Sequence, residues 1–147
     1  MRLLEESGRA LDDFVSSLAS TPEVLEKPVD DGGWRGVDVL AHLLEGELVY
    51  GVRIGQVLTL SDPVIQAYDQ DAWVARFAAV DGDVASWVAL HSLLRRRLCA
   101  VLASLTPSEW ERGGRHEERG VETVRGIVDH LVEHDREHLA QLRAAVA

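Results

Sequence analysis

Apolar residues return at helical spacing along almost the whole chain. Leu3, Leu4, Leu11, Phe14, Val15 and Leu18 mark a first amphipathic helix. Ser20-Thr21-Pro22-Glu23 reads as a stop and a restart, with Thr21 as cap and Pro22 in the first turn. Lys27-Pro28 through Asp31-Gly32-Gly33 reads as a loop. A second long helix is predicted from about Gly36 to about Leu58, ended by Ser61-Asp62-Pro63, and a short helix over Asp71–Val80 follows. Asp81-Gly82-Asp83 then breaks the chain and can cap a helix over Val84–Leu105. Thr106-Pro107-Ser108-Glu109 has the form of a capping box and starts one turn carrying Trp110. Gly113-Gly114-Arg115-His116 to Gly120 reads as a loop, and a last helix runs from about Thr123 to about Ala145. No stretch alternates apolar with polar residues and carries the β-branched content that a strand needs. The pattern therefore predicts an all-α fold: a four-helix bundle with short extra helices in its connections, as one domain over residues 1–147.

Composition narrows the function. With 147 residues, 46% of them hydrophobic, the chain can bury a core without disulfides or a structural metal. Its formal net charge of −10 argues against a nucleic-acid partner, which calls for a basic face, and against a polybasic membrane anchor. The longest unbroken apolar run, Leu98–Ala103, is far too short to span a bilayer. The N-terminus turns acidic at Glu5-Glu6 without an apolar signal core, so the expected location is the cytoplasm. One cysteine, Cys99, excludes an internal disulfide, and its apolar neighbours mark it as inert core rather than a nucleophile.

The chemistry-bearing residues are histidines. Of His42, His91, His116, His130, His134 and His138, the last three stand at i, i+4 and i+8 in the last helix. Residues four apart lie one above the other, so an H-x-x-x-H pair can hold one ion from one face. The outer two are about 11–12 Å apart, so the three cannot all bind one ion. The apolar stripe of Val124, Ile127, Val128, Leu131, Val132, Leu139 and Leu142 puts His138 nearest the core, His134 on its flank and His130 furthest toward solvent, which selects His134 and His138. The competing reading is a charged surface face shared with Glu133, Asp135, Arg136 and Glu137. A third ligand has to come from another helix. His42 stands in an apolar stretch of the second, where spacing does not settle its role. His91 reads as structural, and His116 as a loop residue that can line a site mouth. Glu47 falls on the apolar side of its helix, either orienting a ligand, accepting a proton or serving as a buried structural acid. In Arg95-Arg96-Arg97, Arg95 can hold a substrate carboxylate, while Arg96 and Arg97 read as a solvated face. Trp34, Trp73, Trp87 and Trp110 read as packing residues at helix ends, one of which can wall a pocket.

From Gly33 to Leu142 the order of motifs resembles the DinB-like superfamily of metal-binding four-helix bundles. Gly33-Trp34-Arg35-Gly36-Val37-Asp38-Val39-Leu40-Ala41-His42-Leu43 resembles that family's tryptophan-led entry into a histidine-bearing helix, and Glu47 its acidic residue. Tyr68-Asp69-Gln70-Asp71-Ala72-Trp73, Arg95, Trp110-Glu111-Arg112 and His116 through Gly120 resemble its later segments. Glu133 through Leu142 resembles its closing motif, with Gln141 where some relatives carry a further histidine nearby. The resemblance implies a divalent ion, zinc or nickel, held by His42, His134 and His138, with one position open. Relatives include bacillithiol and mycothiol S-transferases and a mycothiol-dependent isomerase. It therefore implies a metal-dependent enzyme joining a low-molecular-weight thiol to a small electrophilic substrate, or a related hydrolase. It also implies a homodimer. The alternative is a noncatalytic bundle that binds a metal or small ligand in a stress response.

Overall fold

In the computed structural model the described residues are 2–18, 22–29, 33–77 and 83–146. Four long helices form the bundle: α1 (Arg2–Ser17), α2 (Gly36–Thr59), α4 (Val84–Ala103) and α6 (Val124–Val146). Short helices α3 (Gln70–Phe77) and α5 (Pro107–Trp110), and a 3-10 turn over Pro22–Glu26, lie in the connections. The predicted cap at Thr21, the Asp31-Gly32 and Asp81-Gly82 breaks and the predicted end of the short helix at Val80 lie outside the described residues.

Local chemistry sets the helix starts. Asp83 caps α4 by accepting a hydrogen bond from the Ala85 backbone N–H at 3.1 Å. Thr106 and Glu109 close the capping box of α5, whose first position is occupied by Pro107. At the start of α2, the Asp38 carboxylate accepts from the Arg35 backbone N–H at 2.8 Å and from its guanidinium.

Helices α1 and α2 each pack against both α4 and α6. Chain neighbours α1 and α2 therefore sit across a diagonal of the bundle, as do α4 and α6, and the connections must cross its ends. Two apolar clusters fill the interior. One joins Leu4, Ile54, Leu102, Ile127 and Leu131, among others; the second joins Leu11, Phe14, Leu40, Leu43 and Leu139. Ser7, Glu47, Arg95 and Asp135, described below, lie between these clusters along the helices.

The all-α expectation holds with one correction. Gly113–Gly120 is not a plain loop: β2 (Gly113–His116) and β3 (Gly120–Thr123) form an antiparallel hairpin, and β1 (Val64–Ile65) pairs parallel with β2. Only Gly114 and His116 point inward from β2, so no apolar alternation announces it. Gly114 is required there, because a Cβ would stand 3.0 Å from both Ile65 and Pro63.

Candidate metal centre

His42, Gly46 and Tyr50 occupy successive turns of α2, and His138, His134 and His130 successive turns of α6 in the opposite direction. The two helices run antiparallel here and meet turn by turn. His42 faces His134 and His138, with ring centroids 4.8 and 4.7 Å away. The His134 ring lies 3.0 Å from where a Cβ of Gly46 would stand, measured at Cε1, and Tyr50 meets both His134 and His130 at 5.8 Å. Gly46 is thus what allows the close approach of His134 to α2.

One ring nitrogen from each of His42, His134 and His138 lies within 4.8 Å of the others. The Nε2 atoms of His42 and His134 are 2.8 Å apart. His42 is fully buried, and burial, reinforced by His134 and His138, pushes its pKa down to about 3. Burial also lowers that of His138, against the hydrogen bond to Gln141. These two imidazoles are therefore neutral near pH 7, the form that donates a lone pair to a cation. Three imidazole nitrogen donors from two rigid helices fit a divalent transition metal, which takes imidazole ligands at about 2.0–2.1 Å when it is zinc. His138 Nδ1 bonds Gln141 Oε1 at 2.9 Å, which leaves its Nε2 for the shared point. His42 Nδ1 and His134 Nδ1 are buried without hydrogen-bond partners among the described residues. Trp34 closes one side, 5.1 Å from the His42 ring and 6.3 Å from that of His138.

The remaining candidates divide sharply. His130 stands outside the three-histidine group, against Tyr50. His116 is buried on β2, where its Nδ1 accepts from the Glu118 backbone N–H at 3.2 Å. Cys99 is buried and its thiol pKa is pushed up by burial. Glu47 and Arg95 form a hub with residues from all four long helices. Arg95 donates to Glu47 Oε2 at 2.7 and 3.0 Å, to Asp135 Oδ2 at 2.7 Å, and to Ser7 Oγ and the Leu4 carbonyl. His91 lies beside it, its Nε2 3.4 Å from an Arg95 nitrogen, and is buried with a pKa pushed down to about 4, first by burial and then by Arg95. The guanidinium that could have met a substrate carboxylate thus meets two carboxylates of its own chain.

Three residues of this region escape the sequence reading. Asp135, grouped there with a solvated face, is buried. Its Oδ1 lies 3.8 Å from His134 Nδ1. Its signal is its place on the apolar stripe, four residues after Leu131 and four before Leu139. Burial opposes its ionisation, but His134, Arg95 and Ser7 bring the carboxyl down to about 2. Gly46 is legible only as a helix-interior glycine. Glu45 is 6% exposed, and neither of its oxygens has a hydrogen-bond partner among the described residues. Burial raises its pKa to about 7.

The profile of the DinB superfamily matches residues 3–142. The chain belongs to the DinB superfamily. It is 29% identical over 143 residues to YfiT of Bacillus subtilis, named as a candidate metal-dependent hydrolase, across 97% of this chain and 79% of that protein. A candidate metal-dependent hydrolase of Oceanobacillus iheyensis is 27% identical over 139 residues, across 95% of this chain and 79% of its own. The solved structure of YfiT, described as a probable metal-dependent hydrolase with an unusual four-helix bundle topology, superposes with a TM-score of 0.89 at 28% identity, covering 98% of this chain and 82% of YfiT. The DinB-superfamily bundle is the fold expected from the helical pattern and the motif order. No helix among the described residues is long and apolar enough to cross a membrane.

Proposed function

We propose that this protein is a metal-dependent enzyme acting on a small molecule, a thiol S-transferase or a related hydrolase, with zinc or nickel held by His42, His134 and His138. The observation that carries the reading is the convergence of three imidazole nitrogens from α2 and α6 within 4.8 Å, on a superfamily bundle whose relatives are named for metal-dependent hydrolysis. A divalent ion with three histidine ligands and an open position supplies a Lewis acid that favours deprotonation of water or a thiol near neutral pH.

The chain's own residues do the rest. His42, His134 and His138 bind through ring nitrogens, and Gln141 orients the His138 ring by accepting its Nδ1–H. Gly46 sets how closely His134 stands to α2. Trp34 covers the histidines on one side and keeps water from that face. The Arg95 hub fixes α6 against the other helices and holds Asp135 beside His134. The hub acts on the site through position, since its carboxylates already face an arginine.

Elemental analysis of purified protein loaded with zinc or nickel tests the ligand set. About one ion per chain is expected, with most of it lost in His134→Ala and nearly all retained in His130→Ala. Unchanged metal content in His134→Ala overturns the assignment. The metal-loaded protein is then screened with several bacterial thiols against monochlorobimane, and by calorimetry in two buffers of different ionisation heat to detect proton release on thiol binding. A loaded protein that binds no thiol and hydrolyses no ester or amide favours the metal-carrying bundle without catalysis.

A further inference from the structure

His134 belongs to two neighbourhoods. One side of it meets His42 and His138; it also lines a polar cleft of about 230 Å³ shared by Tyr50, Arg53, Tyr68, His116 and Arg119. Arg53 is the unusual member. It is 4% exposed, yet no carboxylate among the described residues stands within ion-pairing distance of it. Its Nη2 donates to the Gln66 carbonyl at 2.8 Å, while its buried Nε donates to nothing among the described residues. Its guanidinium carbon lies 5.6 Å from the ring centre of Tyr50 and 5.7 Å from that of Tyr68. Aromatic faces ease the burial of a guanidinium but do not neutralise it.

The other charges at the cleft are accounted for. Arg119 is committed to Glu122 through two hydrogen bonds of 2.7 and 3.1 Å. Glu118 is exposed. His116 is 2% exposed and its Nε2 has no partner among the described residues. Beside His130 and His134, what remains is one buried positive charge with a donor unpartnered among the described residues, the buried His116 ring nitrogen, and two tyrosine rings. The Tyr50 ring is also 5.8 Å from the His134 ring, so a single aromatic side chain separates Arg53 from the three-histidine group.

We propose that this cleft is a carboxylate subsite, in which Arg53 receives the carboxylate of a small organic acid whose other end reaches past Tyr50 to the three-histidine group. The planar fork of a guanidinium matches a carboxylate, and a charge-assisted hydrogen bond completes a buried donor that is otherwise unsatisfied. The rings of Tyr50 and Tyr68 suit a planar apolar body next to that carboxylate. Binding of the carboxylate is independent of the metal; the direction in which the acid points rests on the enzymatic reading given above.

The test uses the full-length protein freed of metal with phenanthroline, a neutral chelator that leaves no competing carboxylate. Benzoate is the probe, benzamide its neutral counterpart and inorganic phosphate its tetrahedral one. The expected result is that benzoate shifts the Arg53 Nε–H signal in a proton–nitrogen NMR spectrum and binds at least about tenfold more tightly than benzamide. Arg53→Met should weaken benzoate binding about 10- to 100-fold, the range of a charge-assisted hydrogen bond. Arg53→Lys, which keeps the charge in the same buried place, should lose less and serves if the methionine variant fails to fold. Arg96→Met, on an exposed residue, should change nothing. Equal binding of benzoate and benzamide, full affinity in both Arg53 variants, or binding of phosphate without benzoate each overturns the proposal. Metal content measured on a reloaded sample reads the histidine assignment separately, so either conclusion can fail alone.

Discussion

Replacing Arg95 with methionine should be among the most damaging single changes in this protein. Arg95 is 3% exposed, and it faces Glu47 at 2% and Asp135 at 6% exposure. Methionine fills much the same volume but leaves two carboxylates in the bundle interior with no cation. Removing one partner of a buried ion pair costs about 3–5 kcal/mol, against a total stability of about 5–15 kcal/mol for a domain of this kind. Proton linkage gives the mechanism a second signature. In the wild type Asp135 has its pKa lowered to about 2, from an ordinary 3.8, so its contribution is present above about pH 4 and lost as the pH falls toward 2. Burial already raises Glu47 in the wild type; in Arg95→Met that carboxyl loses the cation opposing the rise, Asp135 keeps only His134 and Ser7 against burial, and stability grows more on acidification from pH 7.5 to 5.5 than it does in the wild type. Urea unfolding followed by circular dichroism at both pH values, with the wild-type difference subtracted, reads both effects on metal-free protein. A triple variant, Arg95→Met with Glu47→Leu and Asp135→Leu, should recover most of the loss, because the cost lies in unpaired charge and not in the missing bonds. A loss below about 1 kcal/mol in Arg95→Met, or a pH difference equal to that of the wild type, would refute this account of the hub.

Gly46→Ala places a methyl 3.0 Å from His134 Cε1, and overpacking of about 1–3 kcal/mol should appear as roughly 5- to 100-fold weaker zinc binding in competition with a chromophoric chelator, with metal-free stability offset by better helix propensity. Glu45, raised by burial to about 7 from 4.5, contributes stability that is full below about pH 4.5 and lost as the pH rises through 7, so Glu45→Gln should flatten the fall in urea midpoint between pH 5 and pH 8; an unchanged slope assigns that titration to another group. If the expected homodimer forms through the exposed Leu48 and Val52 of α2, light scattering at micromolar concentration should find twice the 16.2 kDa chain mass; the chain mass itself contradicts it.

Helix periodicity made the bundle legible because long amphipathic helices carry their buried face in their spacing. The predicted bounds of α2, α4 and α6 differ from the observed ones by no more than two residues, since caps and breaks at Asp83, Pro63 and Gly120 bracket them in the sequence. The hairpin was not legible for the opposite reason. Its strands are four residues long, and their inward positions on β2 are a glycine and a histidine, which supply no apolar signal. Choosing His134 and His138 over His130 needed only the stripe of α6. Pairing them with His42 needed the resemblance, because α2 is buried on so many sides that its periodicity marks no single face.

The two arginines show where such reading ends. Arg95 stands on α4 beside Arg96 and Arg97, and nothing local separates a guanidinium that waits for a ligand from one already answered by its own chain. The difference lies in partners 40 and 48 residues away, Asp135 and Glu47, brought together only when α2 packs against α4 and α6 lies across the core from it. Arg53 is the reverse case. Its neighbours in α2 are Val52 and Ile54, so by sequence it is a cation on an apolar helix that should turn outward. It is instead held inside by the Gln66 carbonyl and by Tyr68, which follow the helix, and by Tyr50 within it. A net charge of −10 leaves many carboxylates available to such a cation, yet the fold pairs none of those among the described residues with it. An arginine buried at that cost without an acid is better explained by a ligand that brings its own carboxylate than by stability, because two tyrosines and a carbonyl do not balance a full charge.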